Sequence, residues 1–520
     1  MLALAIGVLV GSAGPADATG KNVDGTLKLG GIGIDETYGD LASVQETYNI
    51  FEGFNVAQVL MNGHMGPKHY FTINLRNINL DNRKGNFLYR ASNVFRFSSS
   101  YRQNRYVFDP DRNVTSDRKV WGFNLTYMPV KSFNLLANYN LNKRKGDRLG
   151  YPLGTTGSWL GTGYDYTQHN GGLEAQYVRG PRGGAIRYDF TDFTNNQDQL
   201  TDRRGDLLSA RFNSPCAFYD KWSHFFRFAY GKQDVVNAGV DLKLYNFQYN
   251  GIVTPVSWFR FQYNLYLNRF DDSSTVMVTD NIQNNFDAEF YYKYGRVFGG
   301  FGYEINDDDR VLTDYNTYLI GGTFDYERRV YAKLSYANRA KTDREKLTLL
   351  QDIESERVRA DLKFNVTDEL VIGGKYIEGE RVYPDINASA KGQRTNGYLT
   401  YKLPVWFSIA GDYVYRVEDN QNLVGTFKTN THTATTKLTF DRVKDLYLGI
   451  GGTYLRVRED LDIEKTIFFF EAAYTVADKY HFELEYNAFN YDDYIVAERY
   501  YTGNVVWFNV AYDFNVKFSD

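Results

Sequence analysis

The chain has 520 residues and a formal net charge of -4, and 17% of its residues are aromatic. Its mean hydropathy is -0.48, and beyond the N-terminus no apolar run reaches the ~18 residues that a membrane helix needs, so a helical membrane protein is excluded. The absence of a basic field argues against nucleic acid as a partner, and the aromatic content argues against disorder. The single cysteine, Cys216, excludes an internal disulfide framework, a Cys-rich zinc site and covalent c-type haem in this chain.

The N-terminus has the pattern of a secretory signal peptide. Leu2–Val10 is apolar, and the small residues that follow, up to Ala18, form a cleavage site. No Lys or Arg precedes Lys21, which we interpret as a start site placed too far downstream. We therefore predict a signal peptide at residues 1–18 and one barrel domain at residues 19–520. The alternative is a buried N-terminal strand or helix.

The first strands are predicted from alternating apolar residues. Leu27 and Leu29 open a strand, and the glycines at positions 30, 31 and 33 predict a bulge or a close backbone approach. A polar connection to about Phe54 follows. The next predicted elements are a strand at Asn55–Asn62, a turn at Gly63–Pro67, a strand at Tyr70–Ile78, and two strands within Asn86–Tyr101 that meet near Ser92 and Asn93.

From Val120 onward the alternation recurs in antiparallel pairs. Phe123, Leu125 and Tyr127 share one face, Pro129–Ser132 forms a turn, and the run from Phe133 returns with its asparagines on the other face. The further predicted pairs of apolar runs are Leu173/Ala175/Tyr177 with Ile186/Tyr188/Phe190, Phe286/Ala288/Phe290/Tyr292 with Val297/Phe301/Tyr303, Tyr318/Ile320/Phe324 with Val330/Ala332/Leu334/Tyr336, Val358/Ala360/Leu362/Phe364 with Leu370/Ile372/Tyr376, Leu399/Tyr401/Leu403 with Val405/Phe407/Ile409/Tyr413, Leu438/Phe440 with Leu446/Leu448/Ile450/Tyr454, and Phe468/Phe470/Ala472/Tyr474 with Tyr480/Phe482/Leu484/Tyr486.

Tight turns alternate with longer polar connections, as in outer-membrane barrels. The predicted long connections are Asp271–Gln283, Asn306–Asp314, Ala340–Glu354 and Asp419–Asn430. Only Glu345–Ile353 has a helical period, which predicts one short helix in a loop. The predicted strand lengths are closer to the ~9–11 residues of a membrane-crossing strand than to the ~5–6 residues of an average strand in a soluble protein.

These patterns predict an all-β fold, a transmembrane antiparallel up-and-down barrel of about 26 strands in the bacterial outer membrane, with outer-membrane lipid and the barrel-assembly machinery as partners. The fallback is about 24 strands if Asn86–Tyr101 forms no hairpin. Side chains alone do not fill so wide a lumen. No compact domain precedes the strand pattern, so we expect no plug domain. That expectation disfavours TonB-dependent transporters and the lipopolysaccharide-assembly barrel.

The last segment, Val505–Phe518, is predicted to close the barrel by pairing with the strand near Leu27. Its apolar face is expected to meet lipid, and Asn509, Asp513 and Asn515 the lumen. Ser519 and Asp520 trail the final aromatic residue, where a terminal recognition signal usually ends. The residues predicted to carry this barrel-closing C-terminal strand are Phe508, Val510, Tyr512, Phe514 and Phe518.

The sequence resembles the MtrB/PioB family, the outer-membrane barrels of porin–cytochrome electron conduits. The resemblance rests on the strand count, the missing plug, and the stretches from Tyr38-Gly39-Asp40 to Glu46-Thr47-Tyr48, at Phe54–Asn62 and at Tyr70–Arg76. It implies a barrel that sheathes a periplasm-facing multihaem c-type cytochrome, which passes electrons to an outer-surface cytochrome. The haem would belong to the partner, and no cofactor is expected in this chain. Some family members have an N-terminal Cys-x-x-Cys, which is absent here.

No catalytic motif stands out, so we expect no enzyme activity. Gly154–Gly163 leads into no helix and is predicted to be a loop rather than a phosphate cradle. Two acidic stretches, Asp307-Asp308-Asp309 and the group of Asp109, Asp111 and Asn113, are predicted to be solvated loops rather than Ca²⁺ sites. The six histidines, which lack metal-ligand spacing, are His64, His69, His169, His224, His432 and His481.

The polar faces predict a hydrated lumen of mixed charge, suited to water or to a polar protein surface. The predicted inward residues are Asn134, Asn138, Asn140, Gln262, Asn264, Lys333, Lys363, Lys375, Asp412, Glu483 and Glu485. The predicted girdle tyrosines, read as lying at strand ends, are Tyr127, Tyr177, Tyr415, Tyr474 and Tyr486. The predicted function is to sheathe and position the cytochrome; the alternatives are a passive or substrate-specific porin and an outer-membrane enzyme.

Overall fold

A computed structural model describes residues 21–39, 52–109, 114–149, 160–216, 221–273, 277–308, 311–344, 352–403, 407–422, 425–495 and 500–518. The predicted signal peptide lies outside these residues. The described chain forms 26 strands, each antiparallel to the next, and the last strand pairs with the first. The predicted all-β barrel of about 26 strands is confirmed.

The strands cover most of the described chain. Their bounds are β1 (Lys21–Gly39), β2 (Gly53–Met65), β3 (His69–Arg76), β4 (Lys84–Ala91), β5 (Phe95–Asp109), β6 (Val114–Val130), β7 (Phe133–Leu149), β8 (Leu160–Arg179), β9 (Arg182–Asn195), β10 (Arg203–Pro215), β11 (Trp222–Val235), β12 (Val240–Val256), β13 (Phe259–Asp272), β14 (Met277–Tyr292), β15 (Gly295–Asp308), β16 (Leu312–Tyr326), β17 (Val330–Asp343), β18 (Ile353–Asn365), β19 (Leu370–Tyr383), β20 (Ala388–Lys402), β21 (Ser408–Asn422), β22 (Gly425–Phe440), β23 (Leu446–Glu459), β24 (Ile463–Val476), β25 (Tyr480–Asp493) and β26 (Tyr500–Phe518). Among the described residues the other regular elements are two 3-10 turns, at Gln199–Thr201 and Pro384–Ile386. None of the described helices is long and apolar enough to cross a membrane, a finding that has no bearing on crossing by strands.

The uncertain stretch at Asn86–Tyr101 is a hairpin. β4 and β5 pair in register, with Ala91 opposite Phe95. Ser92 in the turn between them has a positive φ of 53°. The smaller count of 24 strands is therefore not needed.

The strands are longer than the sequence predicted, ranging from 8 residues in β3 to 20 in β8. The four predicted long connections are wrong in extent. Asp271–Gln283, for example, shrinks to the residues between Asp272 and Met277. The reason is that backbone ladder bonds continue where both faces are polar, as at Arg269 opposite Asp280, so side-chain alternation underestimates the strand. Of the predicted helix Glu345–Ile353, residues 345–351 lie outside the described chain and Ile353 begins β18.

The two ends of the barrel differ. At the end that contains Lys21 and Phe518, the connections are two to six residues long; we call this the short-turn end. At the opposite end, the long-loop end, they range from two to thirteen residues. This is the asymmetry of outer-membrane barrels, whose short turns face the periplasm.

The glycines of β1 differ in how much space surrounds the position of a Cβ atom. The register between β1 and β2 shifts between Lys28 and Gly30, which confirms the predicted bulge. A Cβ on Gly30 would lie 2.2 Å from the Asn509 side-chain oxygen, so the close approach is also present there. Gly31 and Gly33 have open space around the Cβ position.

Alternation gives the wall an apolar outer face and a polar inner face. Many outward residues are large, apolar and solvent-accessible; Leu173 is 62% exposed and Ile320 61%. Accessible apolar side chains on one face of a closed barrel are the signature of contact with lipid. The hydrogen bonds and ion pairs of the opposite face determine what the lumen can hold.

Candidate functional site

The closing strand sets the orientation of both faces. Tyr512 on β26 lies opposite Leu27 on β1, and both side chains are on the accessible apolar face. On the other face the Thr26 hydroxyl donates to Asp513 at 2.5 Å. The backbone of Phe518 pairs with Lys21. The side chain of Phe518, together with Ser519 and Asp520, lies outside the described part of the structure.

The same alternation places the predicted inward residues. Each lies one position away from an outward apolar residue along its strand, and the pairing register carries this facing around the barrel. All eleven side chains are therefore on the inner wall: Asn134, Asn138, Asn140, Gln262, Asn264, Lys333, Lys363, Lys375, Asp412, Glu483 and Glu485.

One region of the inner wall is a ladder of amides. The Asn246 amide donates to Asn268 at 2.5 Å, Asn268 donates to Asn281 at 3.2 Å, and Asn281 donates to Glu304 at 2.8 Å. Arg339 completes the row with a 3.0 Å bond to Glu304. Five strands, β12 to β15 and β17, are thus linked across the lumenal surface by side chains. This region is hydrophilic, and its side chains are hydrogen-bonded to one another.

A second region, at β7 to β10, pairs its charges. Glu174, only 7% exposed, lies 2.5 Å from Arg211 and 3.6 Å from Arg187. Arg187 also contacts Asp189 at 2.5 Å and donates to Asn138 at 2.9 Å. A carboxylate this buried needs such partners, because an unpaired charge there is costly. We call Glu174, Arg187, Asp189 and Arg211 the paired region.

Next to the seam between β1 and β26, the inner face has a short hydrogen-bonded chain of side chains. His481 Nε2 lies 2.7 Å from an Asp513 oxygen, and His481 Nδ1 lies 2.9 Å from the Thr475 hydroxyl. These bonds connect β24, β25 and β26 on the inner face. Sequence reasoning grouped none of the three, because the register that brings them together is set by strand pairing across separate hairpins.

Towards the long-loop end the inner face at the seam becomes apolar. Ile32, Phe489, Tyr501 and Val505 form a buried cluster, with Val505 fully buried. Leu80, from the connection between β3 and β4, packs against this cluster. The sequence did not predict it, since the alternation in β26 was interpreted as polar throughout its inner face.

A third region has unpaired positive charge. On β3 to β5, Arg76 lies opposite Lys84, Lys84 opposite Arg102, and Arg90 opposite Arg96. All five side chains are exposed on the inner face. Within the described chain, none of them forms an ion pair with a carboxylate. We call these five residues the first basic sector.

A similar group lies on β18 to β20. Arg357, Arg359, Lys363, Arg381 and Arg394 are exposed on the inner face. As far as the described residues extend, none of the five is in an ion pair, whereas neighbouring Lys375 contacts Asp361 at 3.8 Å. We call these five residues the second basic sector. The sequence predicted mixed charge with no single-sign ring, and it did not predict that cations would cluster on particular strands of the inner wall.

Four of the six histidines share one kind of contact. Within the described residues no group of His, Cys, Asp or Glu is arranged to hold a metal ion. Four histidines instead contact a tyrosine hydroxyl on an adjacent strand of the outer face, a grouping that sequence spacing does not reveal. These pairs are His69 with Tyr89 at 2.8 Å, His169 with Tyr139 at 2.6 Å, His224 with Tyr249 at 2.9 Å, and His432 with Tyr413 at 2.8 Å.

The predicted girdle tyrosines lie at two levels. Tyr127, Tyr177 and Tyr474 lie near the short-turn end and are 41%, 48% and 52% exposed. Tyr415 and Tyr486 lie in the middle of β21 and β25, so their predicted place at strand ends is wrong. The cause is again strand length, because both strands continue beyond the apolar band.

Above that band the outer face is charged. Arg204 contacts Asp192 at 3.4 Å, and Lys232 contacts Asp234 at 2.9 Å. In the connection after β17, Arg344 contacts Asp314, and this hydrogen-bonded carboxylate raises the pKa of the guanidinium above its ordinary value. The apolar band is therefore bounded by ion pairs on the long-loop side.

The acidic and glycine-rich stretches that were predicted to be loops lie only partly within the described chain. Asp307 and Asp308 end β15, and an Asp308 oxygen accepts the Val311 backbone N–H at 2.7 Å, as in a turn. Asp109 ends β5, while residues 111, 113 and 309 lie outside the described chain. Residues 154–159 of the glycine-rich stretch are also outside it, and Leu160–Gly163 belongs to β8.

Comparison with known proteins supports the fold. No protein-family model matches the sequence, and no curated protein does. The FrpB iron transporter from Neisseria meningitidis (F3-3 variant) matches 96% of this chain and 82% of its own, with a TM-score of 0.51 and 9% identity. The siderophore receptor PirA from Pseudomonas aeruginosa has a TM-score of 0.48, 10% identity and coverages of 96% and 81%. At such identities the likeness concerns the fold alone: the chain is a large β-barrel of the bacterial outer-membrane type.

Proposed function

We propose that this barrel encloses a multihaem c-type cytochrome and holds it across the outer membrane for electron transfer. The observation that carries the proposal is the closed circuit of 26 strands with a polar inner wall. Strands spaced about 4.8 Å apart and tilted about 40° give a barrel roughly 50 Å across, measured between backbones. Inward side chains leave a lumen that is still several times wider than a small solute.

The width matches a protein domain. A compact domain of about 100 residues has a radius of gyration near 13 Å, which corresponds to a diameter of about 34 Å. The amide ladder and the paired region give the inner wall a hydrated, hydrogen-bonding surface like the surface of a soluble protein. The haem-protein part of the proposal rests on the resemblance of the sequence to the MtrB/PioB family.

In this mechanism the chain performs no chemistry. The outer face excludes the partner from lipid, and the inner face fixes the position of the partner through polar contacts. Electrons would pass through the haems of the partner to an outer-surface cytochrome. The barrel contributes alignment and insulation.

The experiment is purification from native membranes in a mild detergent, followed by haem staining and reconstitution of the purified material, with any protein that co-purifies, in liposomes. We expect a haem-staining protein to co-purify and the filled barrel to block the passage of small solutes. A barrel that emerges without a haem protein and leaves liposomes freely permeable would contradict the proposal. That result would favour the second candidate, a diffusion porin, which the exposed charges of the inner wall also permit.

A further inference from the structure

We infer that the lumen binds an acidic protein surface, held between two basic sectors that face each other across the barrel. The first sector is Arg76, Lys84, Arg90, Arg96 and Arg102, and the second is Arg357, Arg359, Lys363, Arg381 and Arg394. The inference deepens the proposed function by naming the chemistry of the enclosed partner, and it rests on that function.

The first observation is the arrangement of the first sector. Arg76, Lys84 and Arg102 lie directly opposite one another on three consecutive strands. Like charges placed directly opposite in a sheet destabilise it. β3 and β4 contain no Asp or Glu at all, and β5 contains only Asp109 at its last residue. The row is therefore repulsive, and none of the described side chains of β3 to β5 is a carboxylate that could neutralise it, so an external anion would relieve the repulsion.

The second observation is that in other parts of the inner wall, cations are neutralised by carboxylates of the same chain. In the paired region each cation has a carboxylate, and Lys437 contacts Glu471 at 2.8 Å on β22 and β24. A chain with 63 Asp and Glu has enough carboxylates to pair its cations. The two basic sectors differ from these parts of the wall because five cations lie together in each without an ion pair to any described residue.

The third observation is position. β5 and β18 are separated by thirteen strand positions in either direction around the circuit of 26, so the two sectors lie on opposite walls. An occupant of the lumen meets both. A folded domain with acidic patches on two sides fits this arrangement, whereas a small anion would contact one wall at a time.

Salt dependence follows from the exposure of these side chains. Their attraction for an anionic surface is screened over about 8 Å at physiological ionic strength, so it acts on contact and weakens as salt is raised. The sectors would therefore guide and hold the occupant.

The test uses the purified barrel in planar bilayers, with poly-L-glutamate as an acidic probe and poly-L-lysine as the opposite probe. We expect poly-L-glutamate to block the current at least tenfold more strongly than poly-L-lysine at low salt. Two triple variants remove one sector each: Arg76→Gln, Lys84→Gln and Arg102→Gln, or Arg357→Gln, Arg359→Gln and Lys363→Gln. Each is expected to weaken the block by about tenfold.

The matched control removes the same charge from the outer face through Arg204→Gln, Arg269→Gln and Arg458→Gln. Poly-L-glutamate should block the current through this variant as strongly as it blocks the current through the unchanged barrel. Heat-modifiable mobility in gel electrophoresis, which compares unheated with heated samples, checks that every variant is folded. Equal weakening by the control, stronger block by poly-L-lysine, or a preference for chloride without polyglutamate block would each overturn the inference.

The outcome is separable from that of the proposed function. If a haem protein co-purifies with both sector variants as tightly as with the unchanged barrel, the charge inference fails and the sheath stands. If no haem protein co-purifies, yet polyglutamate block is lost in the sector variants, the sheath fails and the acidic occupant stands.

Discussion

Two stretches of the inner wall, the paired region and the first basic sector, both present arginines to the lumen but differ in whether carboxylates accompany them. In the paired region, Arg187 and Arg211 share the buried carboxylate of Glu174. In the first basic sector, Lys84 has Arg76 on one side and Arg102 on the other. One region is satisfied within the chain, and the other is satisfied only by something outside it. The difference separates a structural part of the wall from a binding part.

Both regions face a lumen only because β1 and β26 close the barrel. A change that prevents this closure is therefore expected to have the largest effect, because neither region would then line a lumen. A Cβ on Gly25 would lie 2.0 Å from the Leu60 carbonyl oxygen and 2.8 Å from the Phe514 ring. We expect Gly25→Ala to abolish most assembly of the barrel, measured by heat-modified mobility and membrane content. Gly31→Ala, on the same strand with open space at Cβ, is the control and should assemble normally. Normal assembly of both variants would contradict the seam geometry.

The next largest effect is expected at Glu174. Glu174→Gln would leave Arg187 and Arg211 without the shared carboxylate, and so convert the paired region into a basic one. We expect a loss of about 1–3 kcal/mol in the free energy of unfolding, since a buried charged partner is removed. Urea titration in detergent micelles measures it.

The control for this change is Glu485→Gln, an exposed inner-face carboxylate that accepts a hydrogen bond from Asn487 at 3.0 Å. It should change stability by less than about 0.5 kcal/mol, as surface substitutions usually do. If both variants lose the same stability, the burial of Glu174 does not set the difference between the two regions.

The smallest expected effect on stability comes from reversing the charge of one inner-face arginine. Arg102→Glu places a carboxylate opposite Lys84 and should stabilise the empty barrel by about 0.2–1 kcal/mol. The same change at Arg187 places a third carboxylate beside Glu174 and Asp189, and should destabilise the barrel. Thermal unfolding at low and high salt measures both, and salt should reduce the gain at Arg102. Destabilisation at Arg102 would mean that its neighbours are already neutralised within the chain.

The sequence predicted the pairing and facing of the strands better than the strand ends and the contacts between side chains. Alternation in segments such as Phe286–Tyr292 has a period of two, and that period follows directly from strand geometry, so pairing and facing could be predicted. Strand ends could not, because Asp280 and Asp307 continue the ladder through backbone bonds that leave no trace in side-chain polarity. The histidine–tyrosine pairs were missed for a related reason, since His169 and Tyr139 are thirty residues apart and meet only through register.

The sequence by itself determined an all-β chain of about 26 strands, its two faces and the strand that closes it. Each of these follows from local periodicity and turn chemistry. Only the tertiary structure decided which inward charges meet. Arg76, Lys84 and Arg102 belong to three strands, and whether they contact carboxylates or one another depends on the register of each hairpin. Charge acts through space rather than along the chain, so the basic sectors became visible only once the barrel was closed.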